Sequence, residues 1–297
     1  MNQKKSAVIP LHLMMLPGCI LLLIFSYAPM FGVVMAFQNF VVTKGFFGST
    51  FVGLENFIYM FKLPNFARIL RNTLVISAGK LVLSAFVSIS FAILLNEIRI
   101  SRLKRFIQTV TYLPHFLSWV VLASVVVNMF SLDGAFNQAL RSLGLERINF
   151  LGSNTLFQPM LVITDVWKGF GYGSIVYLAA ITSIDPGQYE SAAMDGAGWW
   201  RKVWSITLPG MMPIILLMNV MHISSILNAG FDQIYNLYSP MVYETGDILD
   251  TYVYRIGLIG RQYSLGASVG LFKSIIGMFL LLTANAASKR FTESRIF

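Results

Sequence analysis

Long apolar stretches separated by short polar connections form the main pattern of this chain. Three stretches contain no charged residue, from Lys5 to Lys44, from Arg105 to Asp133 and from Lys202 to Asp232. A helix that crosses a bilayer needs about 20 mainly apolar residues, so each of these stretches has room for one membrane span. Three weaker candidates lie near residues 80–96, 157–183 and 264–288. The pattern therefore predicts a polytopic membrane protein.

The boundaries of these stretches predict an all-α fold with six transmembrane helices in a single domain over residues 1–297. The predicted spans cover about residues 13–37, 72–96, 107–130, 157–183, 211–231 and 264–288. Residues 38–71 form an outer segment, and residues 232–263 form an outer loop that is aromatic and polar. Residues 184–210 connect the fourth and fifth spans on the opposite side of the membrane.

Composition and charge support this interpretation and orient the spans. Hydrophobic residues make up 56% of the chain and charged residues only 12%, compared with about 25% charged in soluble domains. The formal charge of +9 does not indicate a nucleic-acid partner, because the basic residues lie at span ends and form no single surface. Eleven of them crowd every second connection, compared with eight on the opposite side: Lys4, Lys5, Arg99, Arg102, Lys104, Arg105, Arg201, Lys202, Lys289, Arg290 and Arg295. The positive-inside rule therefore predicts that these segments, and both termini, are cytoplasmic.

Cys19 is the only cysteine in the chain. An intrachain disulfide and a cysteine-based metal site are thereby excluded, and no metal site is predicted. The preceding Leu16, Pro17 and Gly18 superficially match a lipoprotein cleavage site, but the apolar run continues unbroken to Phe37. The same length disfavours a cleaved signal peptide, whose apolar core is shorter.

The connection at residues 184–210 begins with a helix signal. Asp185 is placed to cap a helix, and Pro186 suits the first helical position, where its missing N–H costs nothing. The helix is predicted to run to about Met194. It should stop near Gly196 and Gly198, because glycine accepts left-handed or tight backbone conformations.

A second short helix is predicted over residues 199–206, ending where Leu208 and Pro209 break it. Trp199, Trp200 and Trp204 supply rigid apolar bulk there, whereas the preceding helix carries small side chains over residues 191–197. Small side chains allow another protein to approach closely, so this connection is interpreted as a docking surface for a soluble partner.

Residues 190–213 resemble the cytoplasmic EAA loop of permease subunits in bacterial ATP-binding-cassette (ABC) importers. That family reads roughly E-A-A-x-x-D-G-A, then I-x-L-P and a later proline; here the sequence is ESAAMDGA, ITLP at residues 206–209, and Pro213. Ser191 replaces the first alanine and Val203 stands where phenylalanine is usual, and both changes keep small or apolar character. GLENF at residues 53–57 and NT at residues 72–73 resemble the signature of carbohydrate-type permeases.

The resemblance implies a type I ABC importer permease fold and a non-catalytic transport subunit. It implies a second homologous permease, two ATPase subunits and an extracytoplasmic sugar-binding protein as partners, in a bacterial cytoplasmic membrane. This chain then binds no cofactor, and ATP with Mg²⁺ is expected on the ATPase subunits. By resemblance, coupling to the ATPase falls to Glu190, Ser191, Ala192, Ala193, Asp195, Gly196, Ala197, Gly198, Leu208 and Pro209. The alternative is that the loop is an interfacial turn with only a structural role.

Ionisable groups at bilayer depth are costly and point to function. In the fourth predicted span Asp165 and Lys168 are three residues apart, share a helix face and are placed to pair. Tyr172 lies one turn further along, and Trp167 adjoins the face. Aromatic and hydrogen-bonding groups suit a sugar, so this face is a candidate substrate path. An internal ion pair that only locks helices remains the alternative.

Other polar residues extend the candidate path or have simpler explanations. In the fifth predicted span Asn219, His222 and Asn228 drift slowly around one side of the helix and are candidates to line a cavity; for His222 an interhelical hydrogen bond is the preferred alternative. Gly169 and Gly173 form a small-xxx-small pair that favours helix packing. Snorkelling at span ends explains Lys80 and Lys273.

Several functional classes lack the sequences that they require. The chain has no G-x-x-x-x-G-K-[ST] sequence, so another subunit must hydrolyse ATP if ATP drives transport. It has no H-E-x-x-H or G-x-S-x-G sequence, and an intramembrane enzyme using Asp165 would need a second catalytic group. The resemblance to carbohydrate-type permeases implies the import of a carbohydrate, most like an oligosaccharide, by alternating access. A permease for a non-sugar solute is the alternative.

Overall fold

The structure is a computed structural model that describes residues 2–288. Its helices are α1 (Asn2–Leu22), α2 (Gly45–Gly48), α3 (Glu55–Lys62), α4 (Phe66–Asn96), α5 (Ser101–Tyr112), α6 (Trp119–Phe130), α7 (Ala135–Ser142), α8 (Phe157–Thr182), α9 (Pro186–Met194), α10 (Trp199–Lys202), α11 (Leu208–Ser224), α12 (Phe231–Leu237), α13 (Tyr243–Gly246), α14 (Leu249–Tyr252) and α15 (Tyr263–Ser288). Strands β1 (Gln38–Asn39) and β2 (Thr50–Phe51) pair antiparallel. The predicted cytoplasmic Lys289, Arg290 and Arg295 lie outside the described residues.

The chain divides into two compact units. The first comprises Met1–Phe66 and Val253–Ser274. In this unit α1 continues through a π-helical turn, Leu23–Tyr27, into a 3₁₀ helix, Ala28–Phe37. The β-hairpin and α3 follow that helix, and the Ser268 hydroxyl donates to the Ala36 carbonyl at 3.2 Å.

The second unit comprises Ala67–Tyr252 and Ile275–Phe297. One buried apolar cluster joins α4, α6 and α8 to the segment after α11, through side chains such as Ile76, Val126 and Phe157. Another joins α4 and α8 to residues 203–211. The predicted outer loop 232–263 is therefore not an open loop throughout, because Ile234 and Ile248 are fully buried in the first cluster.

Five helical segments in the described part of the chain are long and apolar enough to cross a membrane: His12–Phe37, Phe66–Asn96, Trp119–Ser142, Trp199–Ser224 and Tyr263–Ala286. Helix α8 has 26 residues and ends within one residue of the predicted fourth span. Its polar side chains, Asp165 and Lys168 among them, keep it out of this group. A sixth span at α8 therefore stays a prediction.

The predicted continuous span 107–130 is wrong, because the helix breaks after α5. Leu113–Phe116 forms a 3₁₀ turn, and Leu117 and Ser118 are extended before α6 begins. Pro114 cannot donate a helical hydrogen bond, and the Ser118 hydroxyl caps α6 by accepting from the Val121 N–H at 3.4 Å. The apolar segment shifts to Trp119–Ser142 as a result.

The predicted helix break at Leu208 and Pro209 is also wrong. Helix α10 continues through a π-helical turn, Val203–Thr207, directly into α11. A proline ring clashes with the carbonyl four residues earlier, and a π-helical turn widens the helix at that position. The segment therefore runs unbroken from Trp199 to Ser224. It ends seven residues before the predicted 231, and Gly230 adopts a left-handed conformation (φ 94°) ahead of α12.

Candidate functional site

A cavity of about 430 Å³ lies within the second unit, between α4, α8 and the residues around the end of α11. Four of the predicted substrate-path residues line it: Asp165, Tyr172, His222 and Asn228. The other three, Trp167, Lys168 and Asn219, do not belong to its lining. Asn219 instead donates to the Ile215 carbonyl of its own helix at 2.9 Å.

Lys80 on α4 forms the polar centre at one end of this cavity. Its ammonium donates to the Ala229 carbonyl at 2.7 Å, to Asp165 Oδ1 at 3.3 Å and to Gln233 Oε1. The Gln233 amide in turn donates to the Leu161 carbonyl of α8 at 2.7 Å. Lys80 is only 9% exposed, so the snorkelling interpretation of this residue is wrong. It ties α4 to α8 and to the segment that precedes α12.

Two local features allow Lys80 to reach this position. Helix α11 has already ended at Ser224, so the Ala229 carbonyl is outside any helix. Gly230 has no side chain, and a Cβ built there would lie 2.9 Å from the Lys80 nitrogen. A polar group buried in an apolar setting is costly unless it is hydrogen-bonded, and the three acceptors satisfy the ammonium.

The predicted pairing of Asp165 with Lys168 is wrong. Asp165 faces α4 and pairs with Lys80, whereas Lys168 faces the break between α5 and α6. There the Lys168 ammonium donates to the His115 carbonyl at 2.9 Å and lies 5.7 Å from the centre of the Trp119 ring. Because the helix breaks there, no helical N–H in the described part of the chain donates to the His115 carbonyl, and the Lys168 ammonium donates to it instead. Residues three apart share a helix face only approximately. Asp165 and Lys168 therefore point toward different neighbours and bind different partners.

His115 and Tyr172 build an aromatic wall. Their rings are parallel within 3° and their centroids are 3.9 Å apart, and both line the cavity. His115 was not predicted as a site residue, because residues 107–130 were predicted to form one continuous helix without the break beside which His115 lies. The His222 imidazole is exposed and lines the cavity too; within the described residues it makes no bond to a neighbouring helix.

Among the glycines of α8, Gly171 packs most closely against a neighbouring helix, rather than either member of the predicted pair. A Cβ at Gly171 would overlap the Thr111 carbonyl of α5. At Gly173 it would lie 3.1 Å from the Ser88 hydroxyl, so this residue does pack closely, whereas nothing lies within 4 Å at Gly169. Both Gly169 and Gly173 line the cavity.

The loop that carries the docking motif folds as predicted around α9. The Asp185 carboxylate accepts from the Gly187 N–H at 3.0 Å, with Pro186 next to the cap. At the other end Gly196 is left-handed, with φ 76°. The N–H of Ala197 bonds the Ala192 carbonyl at 2.8 Å and the N–H of Gly196 bonds the Ala193 carbonyl at 3.1 Å. These two bonds form a Schellman cap, which accounts for the glycine in the motif.

One face of α9 is anchored and the rest is exposed. The Tyr189 hydroxyl lies 3.0 Å from the Thr207 hydroxyl, which connects α9 to the π-helical turn before α11. Trp199 packs against the buried cluster of residues 203–211, whereas Met194 is 89% exposed. The surface between Glu190 and Gly198 thus presents mainly small side chains and backbone on a rigid support.

Most of the residues that were predicted to couple this chain to the ATPase are exposed. Ala192 and Ala197 are half-buried, and Leu208 is half-buried against the same cluster as Trp199. Exposed members of the set are Glu190, Ser191, Ala193, Asp195, Gly196, Gly198 and Pro209. The structure therefore places the exposed residues between 190 and 198 on α9 and the turn after it, and Pro209 at the start of α11. Their role in coupling stays a prediction.

Comparison with known proteins gives a consistent result. Residues 84–293 match the family described as binding-protein-dependent transport system inner membrane component. The chain is 43% identical over 288 residues to the polygalacturonan/rhamnogalacturonan transport system permease protein YteP of Bacillus subtilis (strain 168), covering 97% of this chain and 90% of the relative. It is 41% identical to Protein LplB of the same strain, with 97% and 91% covered.

A solved structure is similar over the whole chain. A chain from the crystal structure of a bacterial alginate ABC transporter, in complex with an alginate pentasaccharide-bound periplasmic protein, aligns with a TM-score of 0.90 and 37% identity, covering 99% of both chains. This similarity, together with the five helical segments that are long and apolar enough to cross a membrane, identifies the chain as a multi-pass membrane protein. The chain belongs to the family of binding-protein-dependent transport system inner membrane components.

Proposed function

We propose that this protein is a permease subunit of an ATP-driven, binding-protein-dependent importer that moves an oligosaccharide across the bacterial cytoplasmic membrane. The observation that carries the proposal is the similarity along almost the full chain to YteP and to the alginate transporter chain, both of which are named for polysaccharide transport. The cavity and the exposed, capped α9 supply the two parts that such a subunit needs, a path for solute and a surface for a partner.

The lining of the cavity suits a sugar. Sugars present apolar ring faces and many hydroxyl groups, and binding sites combine apolar or aromatic walls with a few placed polar groups. The stacked rings of His115 and Tyr172 offer aromatic surface, while Asp165, His222 and Asn228 offer hydrogen-bonding groups. In this mechanism the cavity opens alternately to the two sides of the membrane, and a second homologous permease supplies the rest of the path.

The surface of α9 is the proposed coupling element. Two ATPase subunits would bind ATP with Mg²⁺, and one would receive the residues Glu190–Gly198 in a groove. Close approach of another protein requires small side chains, and the Schellman cap at Gly196 keeps the end of α9 compact. An extracytoplasmic binding protein delivers the sugar from the opposite side. In this proposal the chain itself binds no cofactor and catalyses no reaction.

The proposal makes α8 the sixth span and puts both termini in the cytoplasm. A charged side chain within a membrane must face protein or water rather than lipid. Asp165 and Lys168 satisfy this condition, because their partners are Lys80 and the His115 carbonyl. The membrane would surround the helices with lipid while these charges stay inside the protein.

Cysteine labelling tests the orientation. In a Cys19→Ser background, single cysteines at Arg102 and Met194 should be protected from a membrane-impermeant reagent added outside intact cells. Cysteines at Ser142 and Glu244 should react, and all four positions are exposed on the protein surface. Permeabilised cells provide the control, since all four positions should then react. External labelling at Met194 would contradict the coupling role of α9.

Reconstitution tests the function. The subunit purified alone in lipid should hydrolyse no ATP and alter no glycan, because its partners provide the ATPase. The complex copurified from its native membrane should show ATP hydrolysis that is stimulated severalfold by the sugar-loaded binding protein, with uptake of labelled oligosaccharide into proteoliposomes. Stimulation by an amino acid instead of a sugar would favour the non-sugar alternative. Turnover of a glycan by the isolated chain would favour an intramembrane enzyme.

A further inference from the structure

Helix α4 carries a row of hydroxyl groups on the wall of the cavity. Ser77, Ser84 and Ser88 all line it, together with Lys80. Their spacings of seven and four residues put the three serines on one face of the helix, and at 1.5 Å per residue they span about 16 Å of its axis. Ser77 and Ser88 are 6% and 2% exposed, so this row faces the interior of the protein. We call it the serine row.

The Ser77 hydroxyl makes no hydrogen bond within the described part of the chain. Its Oγ is buried and has no hydrogen-bond partner among residues 2–288. Buried polar groups in native proteins are nearly always bonded, and each exception requires an explanation. Because Ser77 lines the cavity, a solute in the cavity is the partner that would complete its hydrogen bonding.

The charges of the lysine and the aspartate that line the cavity cancel each other. In the described chain Lys80 and Asp165 are the charged side chains that line the cavity, and they pair with each other at 3.3 Å. Lys168 lies behind the wall, bonded to the His115 carbonyl. This half of the path therefore presents no unpaired lysine or arginine to a carboxylate, whereas it presents several hydroxyls.

We propose that the serine row binds the hydroxyl groups of the transported oligosaccharide, while Tyr172 and His115 contact the apolar ring faces on the other wall. This inference rests on the proposed function and adds a substrate specificity to it. Recognition in this half of the path depends on sugar hydroxyls and not on carboxylates. A uronate-containing oligosaccharide and its neutral counterpart are therefore bound alike here, even though the similar structure belongs to a transporter of the acidic polysaccharide alginate.

The first test is transport by the intact complex in proteoliposomes, with its binding protein and galacturonate or alginate oligosaccharides as probes. The double variant Ser77→Ala/Ser84→Ala should raise the KM for transport about tenfold, because a lost hydrogen bond typically weakens binding several-fold. Ser77→Ala removes no internal hydrogen bond, so the variant subunit should keep its thermal stability. Ser90→Ala is the matched control, since Ser90 is on α4 but outside the lining, and its KM should be unchanged.

The second test separates hydroxyl from carboxylate recognition without the binding protein. In a Cys19→Ser background of the purified complex, alkylation of Ser84→Cys by N-ethylmaleimide is followed on the peptide of this chain. Galacturonate oligosaccharides should slow the alkylation, and the same oligosaccharides after carboxyl reduction should slow it equally. Alkylation of Ser90→Cys should not respond to either probe.

The outcomes distinguish the two proposals. A wild-type complex that transports none of the oligosaccharides contradicts the proposed function itself. Normal transport with unchanged KM in the double alanine variant, or no protection of Ser84→Cys, overturns the serine row and leaves the proposed function intact. Protection by the acidic probe alone overturns hydroxyl recognition, because it would require a carboxylate-binding group in this half of the path.

Discussion

Replacing Gly196 with valine is expected to lower sugar transport more than tenfold and to weaken association with the ATPase, while the subunit still inserts into the membrane. Gly196 is left-handed (φ 76°) and closes the Schellman cap of α9. The left-handed conformation costs an L-residue roughly 1–2 kcal/mol, and a β-branched side chain is worse suited to it. The end of α9 must rearrange as a result, on the surface where we place the ATPase. Transport assays and copurification of the ATPase measure the effect.

The chain provides a matched control for this variant. Gly144 closes α7 with the same cap: its φ is 77°, its N–H bonds the Arg141 carbonyl at 3.0 Å, and the Leu145 N–H bonds the Leu140 carbonyl at 2.9 Å. Gly144→Val therefore imposes the same backbone strain at a place outside the proposed coupling surface. Its transport should stay near the wild-type level. If both variants lose transport equally, general instability rather than coupling explains the result.

Replacing Lys80 with methionine should destabilise the protein more than any surface change. The substitution leaves the Asp165 carboxylate, the Ala229 carbonyl and the Gln233 side chain without their shared donor. Breaking a buried ion pair typically costs about 3–5 kcal/mol. Asp165→Asn should cost less, because the Asp165 side chain is 33% exposed, compared with 11% for Lys80. Thermal unfolding of the purified subunit in detergent gives the comparison.

A double-mutant cycle separates the ion pair from other effects. Lys80→Met combined with Asp165→Leu should recover much of the loss, since replacing both partners of a buried pair can be nearly neutral. The control is the surface pair of Arg147 and Asp133, which are 3.1 Å apart with side chains 44% and 86% exposed. Arg147→Met should change stability by at most about 1 kcal/mol. No recovery in the double variant would show that Lys80 acts mainly through Ala229 and Gln233.

Local signals in the sequence were sufficient for four of the apolar segments and for α9. Mainly apolar stretches predicted the segments near the first, second, fifth and sixth spans, although the second and sixth each contain a lysine, since a helix in lipid needs mainly length and apolar side chains. Asp185, Pro186 and Gly196 act on their own neighbours in the chain, so the ends of α9 could be predicted from residue type alone.

Contacts between distant residues could not be predicted in the same way. Lys80 is 85 residues from Asp165 and 153 from Gln233, and nothing near it in sequence indicates these partners. Asp165 and Lys168 are close together on one helix, and their spacing suggested that they pair with each other. In the structure α4 and α5 pack against α8 and supply a different partner for each residue. Serines at helical spacing on α4 were visible in the sequence, but only the fold shows that they face a cavity.

The unbroken passage from α10 through the π-helical turn into α11 has a mechanical consequence. Trp199–Ser224 contains 26 residues, or about 39 Å of helix, and it is continuous through the π-helical turn and past Pro213. Its first turn adjoins the exposed α9, and His222 near its last turn lines the cavity. A tilt of about 5° about one end displaces the other end of such a rod by roughly 3 Å, the length of one hydrogen bond. If the segment moves as one body, a small rotation imposed at the end beside α9, where we propose that the ATPase binds, would be sufficient to exchange contacts in the proposed sugar path.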